Sequence, residues 1–472
     1  MRHHDTLYLN GQLIPAQGSQ WLDLIDPTTE TISARVRLAS TEDAERAVAA
    51  ARRAQPAFAA TSKAERMALL HRLHDAVLAR REQLCEATMR EYGGPQARSM
   101  WVADYAASTF LDAARVLENF AFERHESDSL VLLEPVGVSL LITPWNSSAG
   151  SVCSKLAMAL AAGCTTVIKP SELSAWQTEV LVEAFSAAGV PPGVVNVING
   201  GGDVGALLCG HPNIARISFT GSGRTGRAVA QQALGTMKRV TLGLDGKSPT
   251  LLLEDADFAT AIPAALQVAF QNSGQACIAG SRLLVPQARL AEACEQISAR
   301  IKALRVGDPA DPDTEIGPMA TRAQYERIQG YIAHGLGEGA RLLAGGLGRP
   351  QGLKQGFFVR PTAFLANNHL RIAREEIFGP VLCVIPYRDE EDAITIANDS
   401  VYGLHAYVHS ANAEHAMAVA RRLQAGRVAI NGFRHDPLAP FGGYKQSGLG
   451  REFGEAGLAS FLEVKAVLEA KG

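Results

Sequence analysis

The chain has 472 residues, 47% of them hydrophobic and 20% charged, with a formal net charge of −3. Such a length and apolar content allow two or three domains with sizeable cores. The near-neutral balance excludes the basic surfaces expected of nucleic-acid or membrane-surface binders.

Seven cysteines stand at Cys85, Cys153, Cys164, Cys209, Cys277, Cys294 and Cys383. None forms a CxxC pair and the number is odd, so a disulfide frame or a metal site is not expected; a reduced, cytoplasmic chain is. Met1-Arg2-His3-His4-Asp5 lacks the apolar run of a secretory signal. The nearest thing to a membrane span, Val152 to Ile168, is interrupted by Lys155 and rich in alanine, and reads as a packed helix and strand.

In chain order, Leu7 to Trp21 reads as a strand pair turning at Asn10-Gly11. Thr41 to Arg90 is helical by its three- and four-residue apolar steps, with a capped start at Ser40-Thr41-Glu42-Asp43. Glu91-Tyr92-Gly93-Gly94-Pro95 breaks that run, and Ala97 to Phe120 forms another helix. Ser129 to Ile142 favours strands on either side of Pro135-Val136-Gly137. Short apolar runs then alternate with helices: strands at 165–168, 194–198, 214–220 and 239–244, helices at 178–188, 204–209 and 224–234. A second cycle follows, with strands at 281–285, 341–344 and 381–387 and helices at 289–304, 324–335, 390–398 and 413–423. This alternation predicts an α/β protein of two lobes, each built on a parallel sheet with crossover helices.

Cys277 sits between them, in Gln271-Asn272-Ser273-Gly274-Gln275-Ala276-Cys277-Ile278-Ala279-Gly280. Small neighbours let a substrate carbon reach the sulfur, and glycines let backbone amides turn toward it. Phe219-Thr220-Gly221-Ser222-Gly223-Arg224-Thr225-Gly226 lies between a strand and a helix, where a phosphate can meet a helix N-terminus. Lys169 and Glu172 end another strand and suit a ribose. Asn146, also at a strand end, carries an amide that can donate to a developing oxyanion. Read singly, each of these is equally well a turn or a solvated loop.

Together they resemble the aldehyde dehydrogenase superfamily, whose members oxidise aldehydes with NAD(P) through a cysteine thioester. The matching blocks run in family order: Pro144-Trp145-Asn146, Lys169-Pro170-Ser171-Glu172, Phe219-Thr220-Gly221-Ser222, Gly274-Gln275-Ala276-Cys277, Glu375-Glu376-Ile377-Phe378-Gly379-Pro380 and Pro440-Phe441-Gly442-Gly443. The resemblance implies a Rossmann-like cofactor domain at 1–121 and 139–246, a catalytic α/β domain at 247–450, and a small β oligomerisation arm at 122–138 and 451–472, the last with the C-terminal tail. It implies Cys277 as nucleophile and Asn146, with the Cys277 amide, as oxyanion holder. NAD, preferred over NADP because of Glu172, would meet Thr143, Pro144, Trp145, Lys169, Ser171, Glu172, Phe219, Gly221, Ser222, Gly226, Leu244, Glu376 and Phe378. The substrate would be a small-molecule aldehyde. By family position Ser147, Ser151 and Phe441 line its pocket, which the small side chains after Asn146 make roomy. Arg434 and His435 could offer a cation to a carboxylated or sulfonated aldehyde, or simply face solvent. The apolar stretches Leu130–Leu133 and Phe461–Leu468 resemble an oligomerisation ribbon, implying a homodimer or homotetramer.

One departure stands out. Family members that hydrolyse the thioester read Thr-Leu-Glu-Leu-Gly-Gly-Lys-Ser-Pro before the cysteine, the glutamate being the base that activates water. Here the segment is Thr241-Leu242-Gly243-Leu244-Asp245-Gly246-Lys247-Ser248-Pro249. Three readings compete. Asp245 replaces the base, since residues two apart in an extended segment share a side, unless it merely caps the following turn. Glu452, paired with Lys155, passes the proton through water, unless the two form a structural ion pair. Or the acyl group goes to coenzyme A, or leaves slowly. A non-catalytic NAD-binding scaffold is the alternative from another class.

Overall fold

A computed structural model describes residues 1–468; the last four positions of the 451–472 segment lie outside the described residues. Local signals written into the sequence set its first elements. Asn10 and Gly11 both take positive φ, 53° and 79°, and turn strand Thr6–Leu9 into strand Gln12–Pro15, as a right-twisted hairpin requires. Ser40 starts helix α1 (Thr41–Ala59) with a reciprocal cap: its Oγ accepts from Asp43 N at 3.2 Å and the Asp43 carboxylate accepts from Ser40 N at 3.0 Å. The helical run expected over 41–90 is three helices, because Ser62 builds a second such cap. They are α1, α2 (Lys63–Leu78) and α3 (Arg81–Tyr92). Helix α4 (Gln96–Asn119) follows Pro95 and packs on α2 and on α5 (Ser148–Ala162). The alanine-rich α5 is buried along nearly its whole length, Lys155 included. Among the described residues no helix is long and apolar enough to cross a membrane.

Eight strands form the first sheet, in the order Gly448–Leu449, Arg239–Gly243, Arg216–Thr220, Ser139–Ile142, Thr166–Lys169, Val195–Val197, Thr6–Leu9 and Gln12–Pro15. The inner five are parallel. They are joined through α5, α6 (Ala175–Ala187), α7 (Gly202–Gly210) and α8 (Gly223–Leu234). Strand Ser139–Ile142 is the switch point: Thr166–Lys169 lies on one side of it and Arg216–Thr220 on the other. A sheet that reverses direction there opens a crevice at its carboxyl ends. The segment that leaves this strand is Thr143-Pro144-Trp145-Asn146.

The second sheet runs Arg341–Ala344, Thr362–Leu365, Val381–Tyr387, Arg282–Pro286, Pro249–Leu252, His405–His409 and Arg427–Ile430, parallel except at the first pair. Helices α9 (Phe258–Phe270), α10 (Leu290–Ala303) and α11 (Arg322–Gly337) pack around it. A third, antiparallel sheet pairs Ser129–Pro135 with Leu462–Leu468 from register Pro135↔Leu462 to Ser129↔Leu468. Glu123–Glu126 adds its other edge. Val464 and Leu468 on this ribbon are 67% and 76% exposed.

Candidate active site

Cys277 stands apart from the other cysteines: all seven are free thiols, six are buried, and Cys277 alone is half-exposed. The loop that presents it departs from helical geometry after α9. Asn272, Ser273 and Gly274 follow one another at φ +56°, +56° and +74°. A Cβ at Gly274 would stand 2.3 Å from the carbonyl carbon of Gly379, so only glycine lets this loop lie against the Glu375–Pro380 block. Side-chain bonds hold the unusual backbone. Asn272 Nδ2 donates to the carbonyls of Asn146 (3.1 Å) and Gln275 (3.0 Å). Ser273 Oγ accepts from Gly317 N at 3.0 Å, and Gln275 Oε1 accepts from Ala320 N at 3.0 Å.

Asn146 reaches the same loop from the other lobe: its Nδ2 donates to the Gln275 carbonyl at 2.9 Å. One amide hydrogen is thereby fixed, and the second remains for an oxygen near the sulfur. Asn146 and Cys277 both line a cleft of about 570 Å³ at the carboxyl ends of the first sheet, with Pro144, Trp145, Thr220 and Ser222. Burial, and then the neighbouring charge of Glu376, push the Cys277 thiol up to about 12. The resting sulfur is therefore a neutral thiol.

The cleft floor shows why its residues are small. A Cβ at Gly226 would lie 2.3 Å from Leu244 Cδ2, and one at Gly221 would lie 2.5 Å from the Phe219 ring. Ser222 caps α8, its Oγ accepting from Thr225 N at 3.3 Å. Ser171 Oγ accepts from Leu173 N at 3.3 Å and steadies the turn after Lys169. Lys169 Nζ makes only long contacts, 3.5 Å to both Glu172 and the Pro170 carbonyl. The buried Thr143 hydroxyl has no protein partner. Trp145 meets Phe378 edge-on at 5.5 Å, and Gln324 Nε2 donates to the Phe378 carbonyl at 2.6 Å. Gln324, Arg224, Arg227 and Arg327 line the cleft and were not singled out in the sequence. The two arginines of α8 follow the glycine-rich turn directly, a signal that could have marked them.

At the altered base position, Gly243 ends its strand and faces the cleft without a side chain. Asp245 also lines the cleft. Its Oδ2 accepts from Gly223 N at 2.9 Å, at the first turn of α8. Asp245 thus caps α8 rather than the turn that follows it in sequence. Glu376 Oε1 accepts from Gly246 N at 2.9 Å. Burial, and after it the Asp245 charge, hold the Glu376 carboxyl well above the usual carboxylate range. Lys155 and Glu452 form a close ion pair, and Lys155 Nζ donates to Ser218 Oγ at 2.9 Å. Burial pushes the Lys155 amine down while Glu452 pulls it up.

The room expected beside Ser147, Ser151 and Gly150 is partly filled at Gly150 from α4. The Tyr105 ring comes within 2.7 Å of where a Cβ on Gly150 would stand. His435 stands edge-on between Tyr105 (5.1 Å) and Phe453 (5.7 Å), and Phe453 leans on Phe441 at 5.7 Å. Burial, and then Arg427, hold His435 down to about 4. The cation expected of His435 is therefore corrected: packed among rings, it is neutral near pH 7. Arg434 is exposed and lines a separate hollow with His405 and Phe433. Tyr105, which meets Gly150 from α4, was not singled out in the sequence.

The family model described as "Aldehyde dehydrogenase family" matches residues 13–467. A 3-succinoylsemialdehyde-pyridine dehydrogenase of Pseudomonas sp is 45% identical over 100% of both chains. Aldehyde dehydrogenase C of Pseudomonas syringae, solved as a cysteine-to-alanine mutant with NAD+ and octanal, superposes with a TM-score of 0.97 at 43% identity, covering 98% of this chain and 96% of that one. An aldehyde dehydrogenase of Mycobacterium tuberculosis complexed with NAD+ does so with a TM-score of 0.97 at 38% identity, covering 100% and 99%. With the family model spanning nearly the whole chain and a full-length relative at this identity, the chain belongs to the aldehyde dehydrogenase family.

Proposed function

We propose that this chain oxidises an aldehyde to a carboxylic acid with NAD, through a thiohemiacetal and then a thioester on Cys277. The observation that carries the reading is the meeting of Asn146 with the Cys277 loop at the mouth of the nucleotide cleft. The cleft residues suit the dinucleotide. Lys169 and the orphaned Thr143 hydroxyl are short of partners that ribose or phosphate oxygens would supply. Arg224 and Arg227 bring positive charge to the α8 N-terminus. The Glu172 carboxylate disfavours a 2′-phosphate, hence NAD rather than NADP.

When bound, the nicotinamide accepts a hydride. The chain's own groups do the rest. Cys277, once deprotonated, adds to the aldehyde carbon. The free Asn146 amide hydrogen and the Cys277 backbone N–H face the new alkoxide, each such donor contributing about 3 kcal/mol. The alkoxide collapses with loss of hydride and leaves the acyl group on sulfur. Water then cleaves that thioester. With Gly243 at the usual base position, Asp245 is the carboxylate nearest in sequence that opens to the same cleft. The Lys155–Glu452 pair is a second proton acceptor, whose charge reaches Cys277. Loss of the usual base also favours a second reading, in which deacylation is slow or coenzyme A takes the acyl group. The exposed ribbon around Val464 and Leu468 suits a homodimer or homotetramer, and the free cysteines suit the cytoplasm.

The test is NADH release from a panel of aldehydes, with and without coenzyme A. Wild type releases NADH and Cys277→Ala releases none; a Cys277→Ala variant that keeps the wild-type rate removes the nucleophile assignment. Acceleration by coenzyme A selects the acyl-transfer form, and absence of NADH with every aldehyde selects the scaffold.

A further inference from the structure

The carboxylate of Asp245 reaches the N-terminus of α8 only because position 223 is glycine. Asp245 Oδ2 accepts from Gly223 N at 2.9 Å, and a Cβ on Gly223 would stand 2.8 Å from that oxygen. The same point lies 3.7 Å from Arg227 Nη1. The backbone around the carboxylate is pinned on both sides. Leu244 N donates to the Ser447 carbonyl at 3.0 Å, Ser447 Oγ donates to the Asp245 carbonyl at 2.6 Å, and Gly246 N donates to Glu376 Oε1 at 2.9 Å. Release of Gly223 N is therefore a matter of the Asp245 side chain alone.

The helix end that Asp245 occupies is the part of the cleft that attracts anions. Helix α8 has 12 residues, and the N–H groups of its first turn favour a negative group. Thr225 N and Gly226 N are taken by the Oγ and the carbonyl of Ser222, at 3.3 and 2.8 Å. Gly223 N is taken by Asp245. Ser222, Arg224, Arg227 and Asp245 line one cleft with Asn146 and Cys277. A carboxylate of the chain itself thus sits among the groups that suit the phosphates of a dinucleotide. To admit a pyrophosphate at this helix end, Asp245 must give up Gly223 N or keep its charge beside further negative charge, and both weaken the hold on the nucleotide.

We propose that Asp245 competes with the cofactor's pyrophosphate for the α8 N-terminus, so that NADH is held weakly and leaves quickly. This rests on the reading of the cleft as the NAD site. It gives Asp245 a part in cofactor release that is separate from any part in deacylation.

The test measures the binding of NADH by its fluorescence, and of ADP-ribose and adenosine by displacement of NADH, in wild type, Asp245→Gly and Asp245→Asn. ADP-ribose carries the pyrophosphate and adenosine has none. No aldehyde is present, so turnover plays no part. Asp245→Gly should bind ADP-ribose and NADH about 10- to 100-fold more tightly than wild type, the usual worth of a hydrogen bond to a charged group, and adenosine within about twofold. Asp245→Asn keeps an oxygen for Gly223 N and loses the charge. It should gain about 3- to 10-fold for the two pyrophosphate ligands alone, and it decides the matter if the glycine variant does not fold. Stopped-flow displacement of NADH by excess ADP-ribose should place the gain in the off-rate. Unchanged or weaker ADP-ribose binding, an equal gain for adenosine, or a gain confined to the on-rate overturns the competition while the cofactor reading stands. Wild type and variants that bind neither NADH nor ADP-ribose overturn both.

Discussion

Restoring a carboxylate at position 243 tests directly whether the missing base limits this enzyme. Gly243 lies at the end of strand Arg239–Gly243, outside the left-handed region, so a side chain enters without backbone strain. Its Cβ would stand 3.3 Å from Thr220 Oγ1 and 3.8 Å from Thr220 Cγ2. Only the first contact is tight, and it falls on a hydroxyl that can rotate. The rest of the new side chain would extend into the cleft that Gly243 shares with Cys277. Asp245 and Glu376 already place carboxyl groups there, so a glutamate at 243 would be pushed up toward the range of a base poised near neutrality. General-base assistance is worth about 10²–10⁴-fold, or about 3–5 kcal/mol of barrier. If deacylation limits wild type, rapid mixing shows an NADH burst followed by a slow steady state. Gly243→Glu should then leave the burst rate within about twofold and raise the steady state toward it; the gain cannot exceed the gap between the two phases. A wild type without a burst, or a Gly243→Glu variant whose steady state stays put, refutes the reasoning.

Asn146→Ala should lower kcat by about 10²–10³-fold, the usual result of removing one oxyanion donor; a loss below tenfold, measured by NADH absorbance, would remove Asn146 from that role. Asp245→Asn keeps an oxygen for Gly223 N, so α8 should melt with the rest of the protein at a Tm near wild type. The same variant should lower steady-state turnover while retaining the burst, and unchanged turnover would clear Asp245 of deacylation. The pH dependence of Cys277 alkylation follows from its high titration point. The thiol is held up to about 12 by burial and then by Glu376, and only the thiolate reacts. Iodoacetamide labelling of the cofactor-free protein, followed by mass spectrometry, should therefore rise by about tenfold per pH unit between 6 and 10. A plateau near pH 8 would contradict it.

Much of the site could be read before the fold because it is built from sequence-local blocks at strand ends. Asn146 and Ser222 each follow a strand of the first sheet and Lys169 ends one, where a parallel sheet gathers its ligand residues. Arg98, Trp101 and Tyr105 were not visible in that way. They lie on helix α4, Arg98 in its first turn, and only packing brings Tyr105 against Gly150 and Arg98 to Asn272. The same limit applied to strands Pro249–Leu252 and His405–His409: both are buried at every residue, so they lack the alternation that marks a half-exposed strand. His435 shows a further limit. Its cationic reading placed an imidazolium at the pocket, and the rings of Tyr105 and Phe453 supply an apolar shell instead.

The exchange of Glu-x-Gly for Gly243-Leu244-Asp245 also shows where a period-two argument stops. Residues two apart share a side only while the backbone stays extended, and the strand ends at Gly243. Beyond it, Leu244 donates its N–H to the Ser447 carbonyl at 3.0 Å and Ser447 Oγ donates to the Asp245 carbonyl at 2.6 Å. The chain is thus turned onto the segment after Pro440, and the Asp245 carboxylate meets Gly223 N. That places a negative group on the helix end that would otherwise favour a phosphate. Arg224 and Arg227 stand in the same cleft to offset it, and burial, with the Asp245 charge, holds the neighbouring Glu376 carboxyl well above the usual carboxylate range. Moving the acid two positions therefore leaves the cleft at Gly243 without a side chain and places the carboxylate of Asp245 on the first turn of α8 instead.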